Sequence, residues 1–106
     1  MLKVSVLNSE DVNVTGSSLV GYVKTTYDTL VEKFGDPTYT YGDKTTAEWK
    51  LEFDVGDDWV TATIYDWKTY DTPMGEYDWH IGGFSMDAVD VVTEALNKEL
   101  SNASQY

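Results

Sequence analysis

Between Ala47 and Val55 the side chains alternate without a fault, with Trp49, Leu51, Phe53 and Val55 on one side and Glu48, Lys50, Glu52 and Asp54 on the other. Successive side chains of a strand point to opposite faces, so this stretch can bury one face and wet the other only when extended. Gly56-Asp57-Asp58 follows as a hairpin turn, and Trp59 to Trp67 returns as a second strand. Val60, Ala62 and Ile64 share one face of that strand, and Trp59, Thr61, Thr63, Tyr65 and Trp67 the other. The aliphatic face is assigned to the core, which leaves the aromatic face partly open to water.

The rest of the chain supplies more strands and a cover. Leu2 to Leu7 alternates as a strand, and Asn8 to Ser18 is a polar connection. From Leu19, the residues Leu19, Tyr22, Val23, Tyr27, Leu30, Val31 and Phe34 fall at steps of three and four, which predicts a helix from Leu19 to Phe34. Gly35 and Pro37 end it, since glycine takes the left-handed cap and proline cannot continue a helix. Thr38 to Tyr41 reads as a short strand closed by Gly42-Asp43, Lys68 to Glu76 as a loop, and Tyr77 to Ile81 as a last strand ending at Gly82-Gly83. Ser85 is placed to cap a second helix, with Asp87 in its first turn, Phe84 spaced to staple onto Val89, and a stripe of Ala88, Val89, Val92, Ala95, Leu96 and Leu100. Ser101 to Tyr106 is expected to fray. The expected fold is a single α+β domain over residues 1–106, in the order β-α-β-β-β-β-α, with an antiparallel sheet of four to five strands and two helices packed on one face.

Charge limits function more than fold. The chain carries 19 Asp and Glu against 7 Lys and Arg, a formal net charge of -12. Such an excess repels nucleic acid and anionic lipid and attracts basic protein surfaces, so no direct contact with nucleic acid or membrane is expected. No cysteine is present, which removes disulfides, thiolate nucleophiles and Cys-based zinc sites and suits a reducing cytoplasm. No run is long enough to cross a bilayer and no leader pattern is visible, so the expected location is the cytoplasm, that of the host cell if a phage encodes the chain.

Candidate chemistry is thin. His80 lies between Trp79 and Ile81 in a strand, with no recognisable nucleophile or acid at a triad spacing, and reads as a polar strand residue. Gly82-Gly83 ahead of a helix could receive a phosphate on free backbone N–H groups, but Asp78, Asp87 and Asp90 oppose an anion and a plain turn is the better reading. Asp54, Asp57 and Asp58 could hold a divalent cation, yet their spacing is not that of an EF-hand loop. Asp66, Glu76 and Asp78 beside Trp67 and Trp79 could form a glycosidase pair, for which so small a domain has little room. No catalytic residue, metal or cofactor is expected, and a ligand site or enzyme around His80 is the minority reading.

What remains is surface. Glu48, Glu52 and Asp54 share the polar face of their strand, where a two-residue step is about 6.6 Å, and Asp57 and Asp58 extend the charge into the turn. Trp59, Tyr65 and Trp67 lie on the neighbouring aromatic face, and such rings serve well as interface anchors. The plain alternatives are charge that merely confers solubility, and a homodimer or virion assembly that buries the aromatic face.

Ile64-Tyr65-Asp66-Trp67-Lys68 and Tyr77-Asp78-Trp79-His80-Ile81-Gly82-Gly83, preceded by the segment from Thr26 to Thr38, resemble small acidic proteins encoded by tailed bacteriophages, over about residues 20–96. The resemblance implies no catalytic residues. It implies a setting, since small acidic phage proteins often bind and inhibit host enzymes that act on DNA, some by imitating its charge. The expected function is therefore a non-enzymatic accessory protein that occupies a basic site on a host nucleic-acid-binding or defence protein, with Glu48, Glu52, Asp54, Asp57 and Asp58 as charge and Trp59, Tyr65 and Trp67 as anchors.

Overall fold

The computed structural model describes residues 5–42, 44–56 and 58–103, with side chains for residues 6–42, 44–56 and 58–97. The elements are β1 (Ser5–Asn8), β2 (Ser18–Thr25), α1 (Tyr27–Phe34), β3 (Tyr39–Thr40), β4 (Ala47–Asp54), β5 (Trp59–Tyr65), β6 (Tyr77–Gly83) and α2 (Asp87–Ala103). The strands form one open sheet in the order β1-β4-β5-β6-β2, with β3 also paired to β4, and every pairing is antiparallel. The α+β class, the antiparallel sheet and the two helices match the expectation from sequence.

The faultless alternation of β4 places Trp49, Leu51 and Phe53 in the core, and register with β5 and β6 adds Ala62, Ile64, Trp79 and Ile81 to the same face. Leu30 and Phe34 of α1 and Ala88, Val92 and Leu96 of α2 close the core from one side. Trp49 and Trp79 meet edge to face at 5.5 Å, and Phe34 meets Phe53 likewise at 5.9 Å, geometries worth about 0.5–1.5 kcal/mol each beyond the area they bury. Trp49 also donates Nε1–H to the Gly35 carbonyl at 2.9 Å, tying the end of α1 to the central strand. Asn8 completes that tie by donating to the carbonyls of Phe34 and Asp36, each at 2.8 Å, while accepting from the Thr38 hydroxyl.

One expected element is overturned. The helix predicted from Leu19 begins only at Tyr27, and Ser18–Thr25 is the strand β2, which pairs with β6 along the edge of the sheet. Leu19, Val20, Tyr22, Val23, Thr25 and Thr26 include several β-branched and aromatic side chains, which resist the helix and suit a pleated surface. Gly21 and Val23 lie opposite Ile81 and Trp79 on the helix side of the sheet, while Tyr22 and Lys24 lie opposite His80 and Asp78 on the other. Gly21 is required there, because a Cβ would sit 2.7 Å from Val89 Cγ2 of α2. Thr26 is the true N-cap, its hydroxyl accepting from Thr29 N at 3.2 Å, with Asp28 in the first turn. The order is thus β-β-α-β-β-β-β-α.

Smaller differences follow the same logic. β3 is only two residues long, β6 runs on through Gly83, and α2 continues to Ala103, beyond the expected end at Leu100. The rest of the tail expected to fray, residues 104–106, and residues 2–4 of the expected first strand lie outside the described residues, as do Met1 and Asp43. Because β1 and β2 occupy opposite edges, the connection between them crosses the face away from the helices. Val14 and Ser17 lie there beside Thr63, Tyr65 and Gly82.

Candidate protein-binding surface

The face away from the helices is built of rows set by strand register. One row runs Tyr39, Glu48, Tyr65, His80, Tyr22 across five strands. Lys50, Thr63 and Gly82 form the next row, then Leu7, Glu52 and Thr61, and finally Asp54 with Trp59. Of the expected acids and rings, Glu48, Glu52, Asp54, Trp59 and Tyr65 therefore share one face, while Asp58 lies in the turn before β5 and Trp67 beyond its end. They do not form one patch: Trp59 and Tyr65 open and close the same strand, about 20 Å apart at the usual rise, and Lys50 separates Glu48 from Glu52.

At the hairpin end, Trp59 is 63% exposed directly beside Asp54. The turn is locked by Val55 N donating to the Asp58 carbonyl at 3.0 Å and by Gly56 N donating to Asp54 Oδ1 at 3.2 Å, with Gly56 at φ 89. Asp57, expected to contribute, lies outside the described residues. A shallow recess of about 120 Å³ joins Trp59 and Thr61 to Phe84 and Asp87 at the start of α2. Phe84, expected to staple onto Val89, is 57% exposed and turns this end into a two-ring apolar surface with Asp54, Asp58 and Asp87 around it. Sequence reasoning missed Phe84 and Asp87 because their approach to Trp59 depends on the β5–β6 register.

At the other end the row of rings is half-buried. His80 stacks on Tyr65 at 5.3 Å and receives the edge of Tyr22 at 4.9 Å. Burial holds the His80 pKa below its ordinary 6.5 against the pull of Asp66, and its Nδ1 is buried with no hydrogen-bond partner among the described residues. Burial raises the Glu48 carboxyl above 4.5, with Lys50 opposing, and raises the Tyr65 hydroxyl above 10.0, with Glu48 and Tyr22 adding to it. The row carries no carboxylate hydrogen-bonded to His80 among the described residues, so a triad is not assembled there.

Asp66, weighed above as a glycosidase acid, is a structural hub. Its side chain is fully buried, with Oδ1 accepting from Thr46 N at 2.7 Å and Ala47 N at 3.2 Å. Oδ2 accepts from Thr46 Oγ1 at 2.7 Å and from Thr69 Oγ1. Burial alone would raise its pKa, and these bonds outweigh burial, so the carboxyl sits below its ordinary 3.8. The loop after β5 is thereby fastened to the start of β4, which fixes Trp67 just beyond the strand. Trp79 is in the core, and Asp78 is ion-paired at 3.7 Å with Lys24 on the surface while Asp66 is fully buried, so these two carboxylates do not face each other across a cleft. Gly82 and Gly83 are packing glycines inside β6: a Cβ on the first would meet Thr63 Oγ1, and on the second Ala88 Cβ, each at 2.5 Å. Among the described residues no three His, Asp or Glu side chains converge as metal ligands, and no helix is long and apolar enough to cross a membrane. No family model, curated protein or solved structure matches this chain.

Proposed function

We propose that the chain is a non-enzymatic accessory protein that binds the basic nucleic-acid-binding site of another protein and inhibits it by occupying that site. In the phage setting suggested by the sequence, the target is a host enzyme or defence factor. The observation that carries this reading is the exposed pair Trp59 and Phe84 beside Asp54, Asp58 and Asp87, with Glu52 one row away on the same face. Rings on a rigid sheet end supply contact area at low entropic cost, and surrounding carboxylates steer a cationic partner and reject an anionic one. Glu48, Tyr65 and Trp67, at the far end of β5, form a secondary contact at most.

The test is capture of binding proteins from bacterial lysate on the immobilised full chain at low salt, followed by salt elution and competition with duplex DNA. The expected partner elutes as salt rises, is displaced by DNA, and binds Trp59→Ala and the Asp54→Asn/Asp58→Asn pair at least tenfold more weakly. A partner indifferent to DNA and to both variants overturns the reading, and so does recovery of none.

A second reading is favoured by β2, an eight-residue edge strand with Leu19 and Tyr22 exposed. An open edge of this kind can pair with a second copy or a virion component. Sedimentation separates the two readings, since a dimer lost on Val23→Pro with the fold retained points to assembly through that edge.

A further inference from the structure

We propose that the recess at the Asp66 end of the sheet is a binding site for a small organic anion carrying a flat ring, of the nucleoside monophosphate kind. The recess measures about 430 Å³ and is lined by Tyr41, Lys44, Thr45, Lys68 and Tyr70 among others, which is within the range of small-ligand sites.

Backbone conformation picks out this recess. Tyr41, Lys68 and Tyr70 are the only non-glycine residues with positive φ among those described, at 51, 55 and 67, and all three line it. Left-handed backbone is costly for such side chains, and elsewhere in this chain glycine takes it, at Gly16, Gly35 and Gly56. A loop that needed only its shape would use glycine or asparagine here as well. Keeping Tyr, Lys and Tyr at strained positions points to a use for the side chains themselves.

Charge identifies the ligand. Lys44 and Lys68 both line the recess, and the Nζ of each lies 5.9 Å from the centre of the neighbouring Trp67 ring. Neither is within ion-pair distance of a described carboxylate, in a chain with 19 acidic residues against 7 basic ones. Two cations lining one recess favour an anion as its ligand. Tyr41 and Tyr70 present rings that stack on no other ring among the described residues, Tyr70 being 90% exposed, and a planar group can lie against them. The overall charge of -12 selects size, because it repels a polyanionic strand many times more strongly than a single phosphate, whose repulsion two local lysines can offset. The Asp66 hydrogen bonds and Lys68 N donating to the Lys44 carbonyl at 2.8 Å fasten Thr46, Lys44 and Lys68 to the end of the sheet. The site lies at the opposite end of β5 from Trp59 and stands or falls apart from the partner-binding reading.

The test is an amide and indole NMR titration of the full chain with AMP, 4-hydroxybenzoate, adenosine and inorganic phosphate. Saturable shifts confined to residues 41–46 and 66–70 are expected with AMP or 4-hydroxybenzoate, at least tenfold tighter than with adenosine or phosphate. AMP is expected to bind more tightly than 4-hydroxybenzoate, and the reverse order would overturn the monophosphate assignment. Lys44→Ala/Lys68→Ala should lose tenfold or more. Tyr70→Gly and Tyr41→Gly should melt no lower than the parent, since glycine relaxes the backbone, yet bind more weakly. Equal binding of adenosine and AMP, unchanged binding in the double lysine variant, or glycine variants that bind as tightly as the parent would each overturn the proposal.

Discussion

Asp66 spends its charge on structure, and the geometry says which substitution hurts most. Alanine strands four donors, two of them backbone N–H groups, at a cost of about 3 kcal/mol. Asparagine can keep its oxygen at the Oδ1 position, where Thr46 N and Ala47 N donate, and turn its amide toward Thr46 Oγ1 and Thr69 Oγ1, whose hydroxyls can rotate to accept. Asp66→Asn should therefore cost only about 1–2 kcal/mol, a ranking that urea denaturation of both variants checks. His80 and Glu48 make opposite contributions to pH dependence. The folded pKa of His80 lies below 6.5, so as pH falls through 6.5 the unfolded chain takes up the proton first and stability drops. The folded pKa of Glu48 lies above 4.5, so there the folded chain takes up the proton first and stability rises as pH falls. His80→Phe keeps a ring stacked on Tyr65, removes the unpartnered nitrogen, and should flatten the loss of melting temperature just below pH 6.5. Glu48→Gln should raise the melting temperature at pH 7 by about 2 °C.

At the scale of elements, β2 gives a substitution whose sign distinguishes strand from helix. Were residues 19–25 helical, Gly21→Ala would stabilise the chain by about 1 kcal/mol through propensity alone. In β2 the new Cβ meets Val89 Cγ2 at 2.7 Å, and the same change should destabilise by about 1–3 kcal/mol, with Val89→Ala restoring part of the loss. A stabilising Gly21→Ala would refute the placement of β2 against α2. The misreading has a physical origin. Leu19, Tyr22, Val23 and Tyr27 satisfy a helical period only if the outward Tyr22 is counted as core, and a short apolar run with one glycine fits both periods. The central hairpin was legible because Trp49, Leu51 and Phe53 alternate with charges that admit no other burial. Cap chemistry marks both helix starts, at Thr26 as at Ser85, but the apolar spacing from Leu19 masks the first. The acids and rings of β4 and β5 were legible as a face. Their separation into two ends, and the arrival of Phe84 and Asp87 beside Trp59, depend on register and on a loop that local pattern does not encode.

For the molecule as a whole, the charge excess makes salt act in opposite directions on folding and on binding. The long axes are 39 and 32 Å, while the screening length is about 30 Å at 10 mM salt and about 3 Å at 1 M. At the lower ionic strength nearly every carboxylate therefore feels most of the others, and this repulsion opposes the compact state. The attractive side is small, since 7 basic residues face 19 acidic ones: ion pairs among the described residues include Lys24 with Asp78 at 3.7 Å, both exposed, and the buried Lys33 with its exposed neighbour Glu32 at 3.6 Å, and an exposed pair contributes about 0–1 kcal/mol. Screening removes more repulsion than attraction, so raising NaCl from 10 mM to 0.5 M should increase the melting temperature by several degrees. The salt should be NaCl, because sulfate also strengthens burial by exclusion from the surface. Calorimetry of the isolated chain measures this, and Asp54→Asn/Asp58→Asn should show a shallower rise because two of the repelling charges are gone. Binding of a cationic partner must weaken over the same range, since there the attraction is what salt screens. A melting temperature that falls with NaCl would mean the carboxylates are compensated within the fold, and an acidic surface already neutralised has little left to offer a basic site on another protein.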